Sequence, residues 1–258
     1  MLEVTPVEAY RDNYIWLVHG AGDRRKVAVV DPGDAPPVMR ALRRRDLEPA
    51  AVFATHHHHD HTGGIAALVE NFDIPVYGPL HEHVPQCTRG IGEGDTVELG
   101  PLDLEFEVLD IPGHTAGHIA FVGHGTVFCG DTLFSAGCGR LFEGTPEQMS
   151  RSLDKLAALP PGTAVFCGHE YTLDNLRFAL TIEPDNAHAR AWLEEAGARR
   201  ARNEPTLPST IGLERHINPF LRCHEPAVRE AAERRCGRRL EDAVSVFAAV
   251  RAWKDGFS

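Results

Sequence analysis

THHHHDHTGG, residues 55–64, follows the apolar run AAVFA and precedes a stretch of helical periodicity. Alternate side chains of an extended segment share a side. His56 and His58 can therefore face one point, while the turn at Asp60 and His61 aims the next two side chains elsewhere. Five of the chain's fifteen histidines fall between His56 and His61. Imidazoles crowded beside a carboxylate would be costly to desolvate in an ordinary core, and a purification tag would not lie in mid-chain. The array therefore reads as a metal site. Neutral imidazole with carboxylate suits zinc, iron or manganese, and the lack of a neighbouring cysteine argues against a closed structural zinc site. His57 and His59, the interleaved pair, are expected to point away from the metal.

Three other segments have the same form, an apolar run ending in a turn that presents a ligand type: DIPGHTAGH with His114, FCGDT with Asp131 and FCGHEY with His169. A lone His or Asp in such a place is ordinarily a cap or turn residue. In a sheet protein, however, strand ends gather at one edge, and these three can converge on the array. The candidate ligands are then His56, His58, Asp60, His61, His114, Asp131 and His169. Seven are too many for one tetrahedral ion and suit two divalent ions sharing a carboxylate, with Asp131 the expected bridge. His118 and Asp31 are candidates to orient ligands by hydrogen bonds; stabilising a turn explains Asp31 equally well.

Outward from these motifs, the first part of the chain alternates short β-rich runs (YIWLV, KVAVV, AAVFAT, LEFEVLDI, HIAFVG, TVFC, AVFC) with turn residues. Helices are predicted over 35–45, 63–72 and 145–158, the last opened by Thr145-Pro146-Glu147. Sheets with helices outside them, an α/β architecture, follow from this. After Tyr171 the texture becomes helical, with only the Pro-rich connection EPTLPSTI breaking it. The expected domains are 1–172, metal-binding and catalytic, and 173–258, helical and substrate-binding. A chain of 258 residues with 43% apolar content can fill such a core. Its formal charge of −11 argues against a nucleic-acid partner. No apolar run reaches the roughly 18 residues of a membrane span, and the N-terminus lacks a secretory pattern. The expectation is a cytoplasmic monomer with no membrane partner. The six cysteines form no CxxC pair and read as reduced thiols, Cys129 and Cys167 as core residues. RRAR at 199–202 reads as a solvated helix face.

With these residues in view, the chain resembles the metallo-β-lactamase superfamily and, within it, glyoxalase II, the hydroxyacylglutathione hydrolases. The metal motifs belong to the superfamily as a whole. The likeness to glyoxalase II is carried by VEAYRDNYIWLV, GDTLFSAGCGRLFEGT, GHEYTLDNLRFAL, NEPTLPSTIGLERHINPFLR and AVRAWKDGF. The resemblance implies a four-layer αββα sandwich followed by a helical domain. It implies one ion on His56, His58 and His114, another on Asp60, His61 and His169, and Asp131 between them. It also implies glutathione contacts from Arg140, Phe142, His169, Tyr171, Arg251 and Lys254. Phe142 stands where some relatives carry a tyrosine, so no hydroxyl is available there.

Two ions roughly 3.5–4 Å apart lower the pKa of a shared water and supply a nucleophile without a dedicated base. Asp60 and Asp131 are the carboxylates placed to take part in that chemistry. The chain has no G-x-S-x-G elbow and no cysteine–histidine nucleophile motif. The expected reaction is hydrolysis of an S-(2-hydroxyacyl)glutathione, S-D-lactoylglutathione above all, to glutathione and D-lactate, with zinc as the first choice of metal and iron or manganese as alternatives. The competing readings are a persulfide dioxygenase of the same superfamily, using one iron and a shorter C-terminal part, and a non-catalytic metal-binding module.

Overall fold

The computed structural model describes residues 2–257 and divides the main strands between two six-stranded sheets. The first sheet is built in chain order from β1 (Glu3–Ala9), β2 (Asn13–His19), β3 (Lys26–Val30), β4 (Glu48–Phe53), β5 (Val76–Pro79) and β6 (Arg89–Ile91). Helix α1 (Ala35–Arg45) joins β3 to its parallel neighbour β4, and the single turn α2 (His59–Thr62) with α3 (Ile65–Phe72) joins β4 to β5. The next strands, β7 (Thr96–Leu99), β8 (Leu104–Asp110), β9 (Ile119–Gly123) and β10 (Thr126–Gly130), form an antiparallel meander. A separate hairpin, β11 (Leu133–Phe134) and β12 (Gly137–Cys138), precedes α4 (Pro146–Ala157) and β13 (Ala164–Cys167). The chain closes with α5 (Thr172–Ile182), α6 (Ala187–Ala201), β14 (Ser209–Thr210), α7 (Ile211–Ile217), α8 (Pro226–Cys236) and α9 (Ala243–Asp255). The second sheet therefore runs β14-β13-β10-β9-β8-β7.

The layering follows from which strand faces are apolar. NYIWLVH of β2 is buried on both faces: Tyr14, Trp16 and Val18 enter the core between the sheets, while Ile15 and Leu17 meet Val38, Leu42, Ile65 and Leu68 of α1 and α3. In β8 only one face is apolar, so Leu104, Phe106 and Val108 point inward and Glu105 and Glu107 outward. Phe53 from one sheet stacks on Phe121 from the other at 4.4 Å between ring centroids. Each such buried phenylalanine is worth roughly 1.5–3 kcal/mol against leaving it exposed. Met149, Leu153 and Leu156 of α4 complete the core beyond the second sheet. The result is the expected four-layer αββα sandwich with helices after it. Among the described residues no helix is long and apolar enough to cross a membrane.

Two local features differ from the sequence reading. The helix expected over 63–72 starts at Ile65, and a separate helical turn, α2, takes Asp60 and His61 where a plain turn was expected. The connection EPTLPSTI contains a strand: β14 pairs antiparallel with β13 and lies at the edge of the second sheet. Thr145, by contrast, caps α4 as its motif predicts, accepting from Gln148 N–H at 3.2 Å while Gln148 Oε1 accepts from Thr145 N–H at 2.9 Å.

Candidate metal centre

The side chains of the array are delivered by the chain leaving β4. They are met by the β8–β9 connection carrying His114 and by the ends of β10 and β13, which carry Asp131 and His169. His58 Nδ1 stands 3.2 Å from His56 Nε2 and 3.0 Å from His114 Nε2. Nearby, His61 Nε2 and His169 Nε2 are 3.3 Å apart, with Asp60 Oδ2 at 3.6 and 3.4 Å from them. His56, His58 and His114 thus form one compact triad, and Asp60, His61 and His169 another. Asp131 faces both: its Oδ2 lies 3.5 Å from His114 Nε2 and 3.2 Å from His169 Nε2, its Oδ1 3.3 Å from His61 Nε2. All seven residues picked from the sequence therefore meet in one place. Asp31, His56 and His61 form a further close group, but the oxygens of Asp31 are taken up by Thr55 and by Nδ1 of His61.

The hydrogen bonds behind the rings fix which nitrogen carries the proton. His114 Nδ1 bonds the Arg140 carbonyl at 2.9 Å, His61 Nδ1 bonds Asp31 Oδ2 at 3.0 Å, and His169 Nδ1 bonds Asp12 Oδ1 at 2.8 Å. A carbonyl or carboxylate only accepts, so each Nδ1 carries a proton and each Nε2 faces inward. His56 obeys the same logic by relay: Thr55 Oγ1 donates to Asp31 Oδ2 at 2.8 Å and so accepts from His56 Nδ1 at 3.0 Å. Asp31 also accepts from Thr55 N–H at 2.8 Å, and its left-handed backbone (φ 51°), which aspartate tolerates, turns the side chain inward. His118 Nε2 accepts from Asp131 N–H at 3.2 Å and so orients that turn. Both candidate orienting residues thus touch the site. Gly168 is required beside it, because a Cβ there would lie 2.6 Å from Asp131 Oδ1.

Electrostatics divide the triads. Burial and neighbouring imidazoles hold His56 and His118 well below the ordinary histidine range, and burial also lowers His58 and His114 despite Asp131. Burial opposes a charge on His169, yet Asp131 and Asp60 outweigh it and push the ring up to about 10. His61 is raised in the same way by Asp131 and Asp31. Burial likewise opposes ionisation of Asp131, but His61 and His169 hold it well below the usual carboxylate range. The second triad therefore draws positive charge, while Asp131 Oδ1 is buried without a hydrogen bond. Convergent lone pairs, an orphan carboxylate oxygen and a demand for positive charge fit divalent cations.

The site opens into a cavity of about 590 Å3 whose wall includes Arg140, Phe142, Tyr171, Arg251 and Lys254. Tyr171 stacks on His169 with ring centroids 4.7 Å apart, and Phe142, 63% exposed, stands edge-on to His58 and His114. Arg251 is buried: Nη1 donates to the Cys138 carbonyl at 2.8 Å, Nη2 to Asp255 Oδ1 at 3.0 Å, and Nε, also buried, has no partner among the described residues. Lys254 lies over Phe178 and Phe257, with Nζ 3.4 Å from the Asp174 carbonyl. Two supporting residues were not singled out from the sequence. Asp12 holds His169, and Asn13 Nδ2 donates to Asp60 Oδ2 at 3.0 Å. Asp12 ends the β1–β2 turn and Asn13 opens β2, a place where Asp-Asn reads as ordinary turn chemistry. The bridge between Asn13 and His169 brings that turn to the site.

Comparison with known proteins places the chain in a family. Residues 11–169 match the family model of the metallo-beta-lactamase superfamily, and residues 170–257 match the model described as hydroxyacylglutathione hydrolase C-terminus. A hydroxyacylglutathione hydrolase of Nitrosomonas europaea is 54% identical over 100% of this chain and 97% of its own. Another, of Alkalilimnicola ehrlichii, is 56% identical over 99% of each. Among solved structures, TTHA1623 in a di-iron-bound form superposes with a TM-score of 0.59 at 30% identity, covering 84% of this chain and 100% of that one. The C-terminal match separates the chain from the dioxygenase alternative: it belongs to the hydroxyacylglutathione hydrolase family of the metallo-β-lactamase superfamily.

Proposed function

We propose that the chain hydrolyses S-(2-hydroxyacyl)glutathione thioesters, S-D-lactoylglutathione foremost, to glutathione and a 2-hydroxy acid, D-lactate in that case. This is the second step of the glyoxalase route of methylglyoxal disposal. The observation that carries the reading is the continuity of one cavity, with His58, Asp60, His114, Asp131 and His169 among its lining residues together with Arg140, Arg251 and Lys254. A thioester bound with its acyl group among the imidazoles would set its peptide carboxylates among cations. All these residues come from one chain.

In this reading His56, His58 and His114 would hold one divalent ion and Asp60, His61 and His169 the other, with Asp131, which faces both groups, available to each. Zinc is the first choice, although iron and manganese accept the same donors; the relative solved with two irons supports the count. When bound, the ions activate water and polarise the thioester carbonyl. Asp60, held by Asn13 and 43% exposed at its side chain, offers an acceptor that orients the attacking water. Lys254 and the exposed Arg140 receive glutathione carboxylates, and Arg251, buried beside them, adds its positive charge to that end of the cavity. Tyr171, on His169, lines the path between the two ends, and Phe142 packs against the substrate without a hydroxyl. The departing thiolate needs no proton donor. Cys138 lines the cavity, but burial pushes its thiol up to about 11 against the pull of Arg251, so it is no nucleophile at neutral pH. Two of these three cations, Arg251 and Lys254, come from after residue 172, in keeping with a substrate-binding part at 173–258.

Free-thiol release from S-D-lactoylglutathione and from a small thioester lacking the tripeptide tests this. The expected result is fast release from the first and at least hundredfold lower kcat/KM on the second, without oxygen uptake. Equal rates would remove glutathione from the proposal, and oxygen uptake with a persulfide would replace the reaction.

A further inference from the structure

His57 turns away from both triads into a cluster of carboxylates that the proposed chemistry does not use. Its Nδ1 lies 2.8 Å from Glu82 Oε2, and its Nε2 lies 3.3 Å from Glu143 Oε1. Glu82 sits in the turn after β5, and its side chain is 3% exposed. Its oxygens are divided between two loops: Oε2 accepts from His57 N–H at 2.8 Å, and Oε1 accepts from Gly117 N–H at 2.8 Å. Glu143 adds a bond from Ala116 N–H at 2.8 Å. The first loop carries His56 and His58, the second His114. Gly117 permits the approach, because a Cβ there would stand 2.8 Å from Glu82 Cγ.

We propose that Glu82 is a positioning residue that sets the spacing between these loops and thereby holds His114 opposite His56 and His58. The proposal rests on the dinuclear reading above and adds a selectivity to it. Glu82 touches neither Asp60, His61 nor His169, whose orientation comes from Asn13, Asp31 and Asp12. Removing Glu82 therefore loosens the three-histidine site and spares the other. A buried carboxylate bonded to two backbone N–H groups is a charge-assisted tether. Losing support of this kind around a metal ligand weakens affinity about 10- to 100-fold.

The experiment is a competitive chelator titration of the full-length protein with zinc, resolving the two binding steps, on the native chain, Glu82→Ala and Gly117→Ala. The glycine variant attacks the same contact from the other side, so the question survives if one variant folds poorly. The expected result is two zinc ions on the native chain, and in each variant one step weakened about 10- to 100-fold with the other unchanged. The cobalt-loaded variants should lose the absorption of one site only. Two unchanged steps would overturn the proposal. Equal weakening of both, together with a lower melting temperature of the metal-free protein, would also overturn it, since Glu82 would then support the fold at large. Fewer than two ions on the native chain would instead refute the dinuclear reading and Glu82's selectivity with it.

Discussion

Lys254 and Arg251 share a helix face, yet their surroundings give them different tasks. Among the described residues Lys254 has one polar protein contact, the Asp174 carbonyl at 3.4 Å, which leaves its charge available to a substrate. Arg251 also ties down Cys138 and Asp255, so its removal would disturb the loop that carries Arg140 and Phe142. Lys254→Ala is therefore the cleaner test of recognition. A charge-assisted hydrogen bond is worth roughly 1.5–3 kcal/mol, or about ten- to a hundredfold in binding. The variant should raise KM for a glutathione thioester by that factor with kcat little changed, and should leave a small thioester unaffected. Steady-state kinetics on both substrates decide it: an equal loss on the two would mean that Lys254 supports the fold.

At the scale of elements, the hairpin β11–β12 is held by α7 through a buried carboxylate. Glu214 Oε2 accepts from Ala136 N–H at 2.7 Å and from Asn218 Nδ2 at 3.1 Å, and Oε1 from Ser209 Oγ. Burial raises its pKa above the ordinary 4.5 despite these bonds. A carboxyl raised on folding contributes stability that is full below its unfolded pKa and lost as pH climbs through the folded one. Glu214→Gln keeps every bond, because the amide oxygen can take the Oε2 place and the amide nitrogen can donate to Ser209. The variant should melt at or above the native temperature at pH 8, by about 2–4 °C per kcal/mol gained, and the gap should close towards pH 4.5. A gap independent of pH would mean that Glu214 stays ionised on folding. This latch was not legible in the sequence, and neither was β14. A two-residue edge strand carries no alternation, and Glu214 reaches its partner Ala136 only through the tertiary fold. The strands that were legible, such as LEFEVLDI and KVAVV, are those whose burial pattern is written in their own residues.

Across the whole molecule, the seven inward-facing residues were legible for a related reason. Each stands just past an apolar run, and a sheet brings such ends to one edge. Asp12, Asn13 and Glu82 were not, because each supports a ligand that is remote in sequence, and nothing in a polar residue at a turn or strand start announces what it will meet. The same distribution explains how a chain of formal charge −11 takes an anionic substrate. Its cations are set at one end of the cavity, and the opposite end is ready for positive ions. Turnover of a glutathione thioester is expected to require both triads filled. The most direct test is thiol release from S-D-lactoylglutathione by chelator-stripped protein as zinc is returned in known equivalents. Activity is expected to be negligible without metal and to rise until it levels off at two ions per chain. A plateau at one, or full activity in the stripped protein, would contradict it.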